Sequence, residues 1–202
     1  MIKNKVDYLY YLECDKVALG VNSKKPRPFT DYVWKYQILL RKLEYYVNCK
    51  PFPGILNNLI ITCIKIRFNK LSVLLGFDIP INVVGPGLCI VHPGTVVISE
   101  GAIIGKNLRI HEGVTIGATN MSSKAAIIGD NVFIGSGAKI IGEVTIGNNV
   151  AIAAGAVVIT DLPSGTFGGV PCKKISDNNS SLNLIPSTNI VDTYFWNNKT
   201  IR

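Results

Sequence analysis

At 202 residues the chain is long enough to bury a core of its own, and with 48% apolar residues it has the composition of a folded protein. Its formal charge of +8 admits nucleic acid, an anionic membrane or a phosphate-rich small molecule as a partner, without choosing among them. The five cysteines, Cys14, Cys49, Cys63, Cys89 and Cys172, form no C-x-x-C pair and no regular spacing, which argues against a disulfide framework or a zinc knuckle and for a reducing, cytoplasmic setting.

The opening stretch, MIKNKVDYLYYLECDK, interrupts its apolar residues with charge too often for a signal peptide. Thr30 or Asp31 can cap a helix running to about Asn48, in which Val33, Tyr36, Ile38, Leu40, Leu43 and Val47 include helical spacings. On that helix Lys35, Arg41, Lys42 and Glu44 are expected to mark a solvated side, and Pro51 and Pro53 end it. A second, more apolar helix is predicted from Gly54 to Leu75, with Lys65, Arg67 and Lys70 in its C-terminal half, where cations suit the helix dipole. The two helices read as a cap packed on the next domain, with peripheral membrane association through this basic region as the second reading. The apolar run from Ile55 to Ile64 contains Asn57 and Asn58 and is half the length of a span, so no transmembrane helix is expected.

From Gly85 to Val170 glycine becomes frequent, charge thins out, and a period of six appears. Stepping by six from Ile98 gives Ile104, Ile110, Ile116, Ser122, Ile128, Ile134, Ile140, Ile146, Ile152 and Val158, so only one position of the series is not Ile or Val. Six residues make one short strand and a turn, with the aliphatic residue pointing into a prism and Gly or Asn taking the corner. Three such units complete a triangular coil, and the region holds about five coils. The fold class expected is mainly β: a parallel β-helix, with an N-terminal helical region at 1–76, the β-helix at 77–175 and a C-terminal tail at 176–202.

The rhythm breaks twice. Val84, Ile90 and Val96 share one phase and Ile98 onward another, so two residues are gained around Val91-His92-Pro93-Gly94. At 118–126 (ATNMSSKAA) the sequence turns polar, and Ser122 stands where an aliphatic residue is due. A solenoid accommodates insertions as surface loops on one face, often the binding face. The Asn- and Ser-rich tail is expected to be loosely docked or disordered.

Taken together, G-F-D-I-P (76–80), G-P-G-L-C-I-V-H-P-G (85–94), R-I-H-E-G-V-T-I-G (109–117), I-G-D-N-V-F-I-G-S-G-A-K-I-I-G (128–142) and G-G-V-P-C-K-K-I (168–175) resemble the hexapeptide-repeat acyltransferases over roughly residues 30–175. The resemblance is to their serine acetyltransferase branch, including short members associated with bacterial surface polysaccharide synthesis. It implies a left-handed β-helix, a homotrimer sometimes paired into a hexamer, and acetyl-CoA as co-substrate in a groove between subunits, with no metal. It also implies a histidine base oriented by a carboxylate one coil earlier, with direct attack of the acceptor hydroxyl on the thioester. The histidine maps onto His92 and the carboxylate onto Asp78, which precedes it at an interval one residue shorter than is usual in the family. A one-residue deletion between Pro80 and Gly85 restores the match; without it Phe77 would hold the place.

The chemistry needs such a base: an alcohol is a poor nucleophile at neutral pH, and histidine has the suitable pKa. Only His92 and His111 are present. A carboxylate on the other ring nitrogen would fix the tautomer and stabilise the imidazolium, the task given to Asp78. His111 and Glu112 follow the inward Ile110 and are candidates for the acceptor site. The family pattern places small residues along the pantetheine arm, here Ala118, Ser136 and Ala154, and Lys173 and Lys174 are placed to meet the CoA phosphates. Direct attack needs no cysteine nucleophile, and Cys89 reads as core.

Serine-specific members carry an Asp immediately before the catalytic histidine and an Arg-His pair in the loop after T-I-G. Val91 takes the first place here, and the loop at 118–126 has only Lys124. The expectation is therefore a saccharide acceptor in surface polysaccharide synthesis, with serine O-acetylation for cysteine synthesis as the alternative and a non-catalytic β-helix scaffold as the alternative of another class. A zinc-dependent carbonic anhydrase on such a scaffold needs three histidine ligands per site, which two histidines do not provide.

Overall fold

Three helices precede the coil in the computed structural model, which describes residues 1–119 and 122–196. Helix α1 (Lys5–Ala18) starts where the Asn4 side chain accepts from the Asp7 N–H. Helix α2 (Tyr32–Cys49) and helix α3 (Gly54–Leu75) are separated by Pro51 and Pro53, and α3 stops at Gly76, whose left-handed backbone (φ 75°) suits glycine.

Fourteen short strands follow among the described residues. They are β1 (Phe77–Asp78), β2 (Cys89–Ile90), β3 (Val96–Ile98), β4 (Ile103–Ile104), β5 (Arg109–Ile110), β6 (Thr115–Gly117) and β7 (Ile127–Ile128), then β8 (Phe133–Ile134), β9 (Lys139–Ile141), β10 (Thr145–Ile146), β11 (Ala151–Ile152), β12 (Val157–Val158), β13 (Thr166–Gly168) and β14 (Lys173–Ser176). They stack into three faces: β1-β3-β6-β9-β12, then β4-β7-β10, then β2-β5-β8-β11-β13, where the antiparallel β14 closes the edge. All other pairings are parallel, one coil to the next.

The six-residue series is the core of this coil. Ile90, Ile110, Ile134 and Ile152 point inward from one face, Ile98, Ile116, Ile140 and Val158 from another, and Ile104, Ile128 and Ile146 from the third, all buried. The register explains both breaks. Phe133 pairs with Ala151, three repeat units on, the length of a plain coil. Cys89 pairs with Arg109 across a longer coil, because of the gain in phase between Ile90 and Ile98. Arg109 pairs with Phe133 across four repeat units, because the loop at 118–126 adds a whole unit and so keeps the phase. Corner residues Asn107, Asn131 and Asn149 take positive φ and their side chains form a ladder, Asn107 Nδ2 to Asn131 Oδ1 at 2.7 Å and Asn131 Nδ2 to Asn149 Oδ1 at 2.9 Å.

Three expectations are corrected. The chain is not mainly β: its helices are 14, 18, 22 and 9 residues long while no strand among the described residues exceeds four, so it is a mixed β and α structure. Arg41 and Glu44 do not lie on a solvated side of α2; both are buried. Arg41 Nε donates to Asp15 at 2.8 Å, its other nitrogens donate to Glu44 and to the Val84 and Gly85 carbonyls, and Asp15 accepts from the Gly87 and Leu88 N–H groups. The solvated-side reading failed because one partner acid, Asp15, comes from α1 and two carbonyl acceptors come from the first coil. The tail, finally, is docked over its described part, residues 176–196, and the rest of the expected tail lies outside the described residues: α4 (Ser187–Phe195) packs on α1, and Asn107 Oδ1 accepts from Ser187 Oγ and the Thr188 N–H. Tyr194 and Phe195 meet Glu13 and Tyr10 on α1.

Candidate active site

The corner between the β2 and β3 edges of two faces brings the chemistry together. Val91 N–H still donates to Ile110 O at 3.1 Å, so the pairing of Cys89-Ile90 with Arg109-Ile110 carries on to the end of β2. His92 then leaves the coil and is exposed. Its ring centroid stands 5.9 Å from that of His111, and the candidate ligand atoms of His92, His111 and Glu112 all lie within 4.8 Å of one another. Gly94 permits this closeness: with φ 140°, its position would bring an added Cβ within 2.7 Å of Glu112 Cβ.

The same corner repeats along the coil. Gly137 N–H donates to Glu112 O and Gly155 N–H to Ser136 O, each at 2.8 Å, so Glu112, Ser136 and Ala154 stand one above the other. Ser136 and Ala154, singled out for cofactor binding, therefore extend directly from the His92 corner. Ala118 does not: it follows β6 at the next corner, where Gly142 N–H donates to Gly117 O. Lys173 is exposed, while Lys174 is paired with Asp177 at 2.5 Å; both lie in β14.

Among the described residues no hydrogen bond or ion pair joins Asp78 to His92; Asp78 is exposed in β1, registers with Val97, and its charge acts on Tyr36. The nearby carboxylate is Glu112, whose Oε2 lies 3.8 Å from His111 Nδ1 and has no hydrogen-bond partner among the described residues. The Glu112 carboxyl is held below its ordinary value first by its own backbone N–H, then by Ser136 and the two imidazoles. Burial and then the Arg109 guanidinium push His111 down, so this ring is neutral at pH 7. Two imidazoles and a carboxylate are also donor types that a transition metal takes, so the corner expected to be metal-free contains a set able to hold one.

Two residues here were not singled out from sequence. Phe133, one coil on, packs edge-on against His111 with ring centroids 5.4 Å apart. Arg109 lies on the outer side of β5, and its buried Nε has no partner among the described residues. The alternation with inward Ile110 for Arg109 and with inward Ile134 for Phe133 was the available signal. Cys89 is buried and its thiol is pushed up by burial to about 11, which removes it as a nucleophile.

The bacterial transferase hexapeptide model (six repeats) matches residues 125–160. A serine acetyltransferase from Synechocystis is 42% identical over 113 residues, covering 54% of this chain and 45% of the relative. The coil thus carries the bacterial transferase hexapeptide repeat over residues 125–160 and is similar to the serine acetyltransferases. Another such relative, the chloroplastic serine acetyltransferase 1 of Arabidopsis thaliana, is 45% identical over 101 residues, 48% of this chain and 32% of the relative. The chain thus spans between a third and a half of the length of these curated relatives. The Neisseria gonorrhoeae serine acetyltransferase superposes with a TM-score of 0.61 at 27% identity, covering 91% of this chain and 69% of that one. A structure of the same enzyme in complex with serine gives 0.52 at 26%, with 83% and 67% covered.

These relatives overturn the expected saccharide acceptor: the hexapeptide-repeat proteins matched here are serine acetyltransferases, the reading held as the alternative. The saccharide argument sought cationic recognition only in the loop at 118–126, whereas the folded coil sets the Arg109 guanidinium beside His111. Among the described residues no helix is long and apolar enough to cross a membrane.

Proposed function

We propose that the chain is an acetyl-CoA-dependent serine O-acetyltransferase with His92 as general base. The observation that carries this reading is the exposed His92 ring grouped with His111 and Glu112 at one corner of a serine acetyltransferase-like β-helix. His92 takes the proton from the serine hydroxyl as the oxygen attacks the thioester carbonyl. The C–S bond breaks, and the imidazolium returns the proton to the leaving CoA thiolate, so no acyl-enzyme forms. Glu112 favours the charged form of His92 during the transfer, a role the resemblance gives to Asp78.

Arg109 is suited to the carboxylate of the amino acid, since a partly buried guanidinium with an unused donor gains most from an anion. The pantetheine arm runs along the edge of Ser136 and Ala154, and Lys173 meets the CoA phosphates. Ala118, on another corner, reaches that arm from a neighbouring copy, in keeping with a homotrimer or a pair of trimers and with the left-handed winding of the family. Residues 1–76, 77–175 and 176–202 then act as cap, catalytic coil and closing tail.

Thiol release from acetyl-CoA in the presence of L-serine tests the reading. The purified chain is expected to acetylate L-serine, and His92→Ala to lose about a thousandfold in kcat while still binding CoA. A chain that leaves L-serine untouched, or a His92→Ala variant with undiminished kcat, would overturn it.

A further inference from the structure

Helix α3 is apolar on two opposite sides, and only one of them is used. Its buried residues, Asn57, Ile64, Phe68 and Leu75, face α2 and the first coil. On the other side Ile55, Leu59, Ile66 and Val73 are 81%, 60%, 64% and 85% exposed. At about 100° per residue these four fall within about 40° of one another around the helix, roughly opposite the buried set. A second apolar stripe on the outer side of a helix calls for an occupant.

The charge around the stripe identifies it. No Asp or Glu occurs between Glu44 and Asp78, whereas Lys50, Lys65, Arg67 and Lys70 do. Arg67 and Lys70 form no ion pair among the described residues and edge a cleft of ≈ 400 Å³ whose remaining lining includes Ile38, Leu39 and Leu71. Lys35, also on that edge, is held by the Pro28 carbonyl and the Tyr32 ring. The cations call for an anionic partner, and the stripe of isoleucine, leucine and valine for an apolar one. A second copy of α3 would set like charges against each other. An anionic bilayer answers both, with phosphates at the cations and acyl chains beneath the stripe.

We propose that α3 and its cleft against α2 dock this protein on an anionic membrane surface, with the helix lying in the plane of the interface. The outward residues lie on the exposed side of α3, and their replacement is expected to leave the fold intact.

Flotation of the full chain with vesicles of phosphatidylcholine alone, or of phosphatidylcholine mixed with phosphatidylglycerol, tests the proposal. Binding is expected only to the anionic vesicles and at least tenfold weaker at high salt. The Ile66→Asp, Val73→Asp variant and the Lys65→Gln, Arg67→Gln, Lys70→Gln variant are each expected to bind at least tenfold less, with unchanged circular dichroism. No binding to anionic vesicles, or equal binding to both compositions, overturns the proposal. So does an Ile66→Asp, Val73→Asp variant that dissociates an oligomer in sedimentation while wild type ignores vesicles, since that outcome assigns the face to a second copy.

Discussion

The His92 and His111 rings stand 5.9 Å apart, inclined at 67°, so protonating one opposes protonating the other. Burial and Arg109 already hold His111 below the usual histidine value. Between that value and the ordinary one near 6.5, the unfolded chain carries a proton at His111 and the folded chain does not. Stability therefore rises with pH through this window and is lost as pH falls below about 6.5. Urea midpoints at pH 7.5, 6.5 and 5.5 should decline for the wild type, and His111→Asn should flatten that decline; an identical slope in the variant would show that His111 does not titrate differently on folding.

The carboxylates separate in the same way. Glu112 lies with both imidazoles, whereas Asp78 has no bond to either among the described residues. Glu112→Gln is expected to lower kcat about tenfold and to move the acid limb of kcat/KM to lower pH, because the imidazolium of His92 loses a nearby negative charge. Asp78→Asn should leave that limb in place. The pH dependence of kcat/KM for the two variants decides which carboxylate positions the base, and a shift confined to Asp78→Asn would reassign it.

Gly94 should tolerate no side chain. Its φ of 140° lies where L residues are strained, and a Cβ would meet Glu112 Cβ at 2.7 Å, an atom fixed to the backbone of the next coil. Gly94→Ala should cost about 1–3 kcal/mol in stability and reduce kcat more than tenfold by parting His92 from Glu112. Denaturant midpoint and kcat measured together check it; unchanged values for both would mean the corner is slack.

The repeat was legible because each coil contributes one inward aliphatic per repeat unit, so Ile98 to Val158 wrote the core directly into the sequence. The limits of α2 and α3 were legible too, since Pro51, Pro53 and Gly76 act locally, whereas α1 and α4 were not expected. Contacts made over long separations were hidden. Arg41 resembles any surface cation until Asp15, far back on α1, is brought beside it. Asn107 gave no sign of holding Ser187 and Thr188, and the tail it anchors was read from composition alone. The resemblance pointed to Asp78 for the carboxylate, and Glu112 was read only as a candidate for the acceptor site. Glu112 groups with the histidine because the pairing of Ile90 with Ile110 sets His92 level with Glu112 one coil on.

Arg109 offers the test of the acceptor. With no partner for its Nε among the described residues, it gains one when an amino-acid carboxylate binds. A hydrogen bond to a charged group contributes about 1.5–3 kcal/mol, so Arg109→Gln should raise KM for L-serine about tenfold or more and leave KM for acetyl-CoA unchanged. Ethanolamine, which lacks the carboxylate, should be a poor acceptor for the wild type and no poorer for the variant. Steady-state kinetics with both acceptors checks this; a loss equal for serine and ethanolamine would make Arg109 structural.

The joint between cap and coil depends on Arg41, fully buried between Asp15 and Glu44. Truncating it leaves two carboxylates and the Val84 and Gly85 carbonyls without their donor. Arg41→Met is expected to destabilise the chain by about 3–5 kcal/mol, because an uncompensated buried charge costs more than the pair contributes. Replacing Asp15 and Glu44 with leucine as well should recover only part of the loss: Asp15 also accepts from the Gly87 and Leu88 N–H groups, which would then be buried without partners. Denaturant unfolding of the single and triple variants checks both statements. Full recovery in the triple variant would mean that the carboxylate of Asp15 serves Arg41 alone.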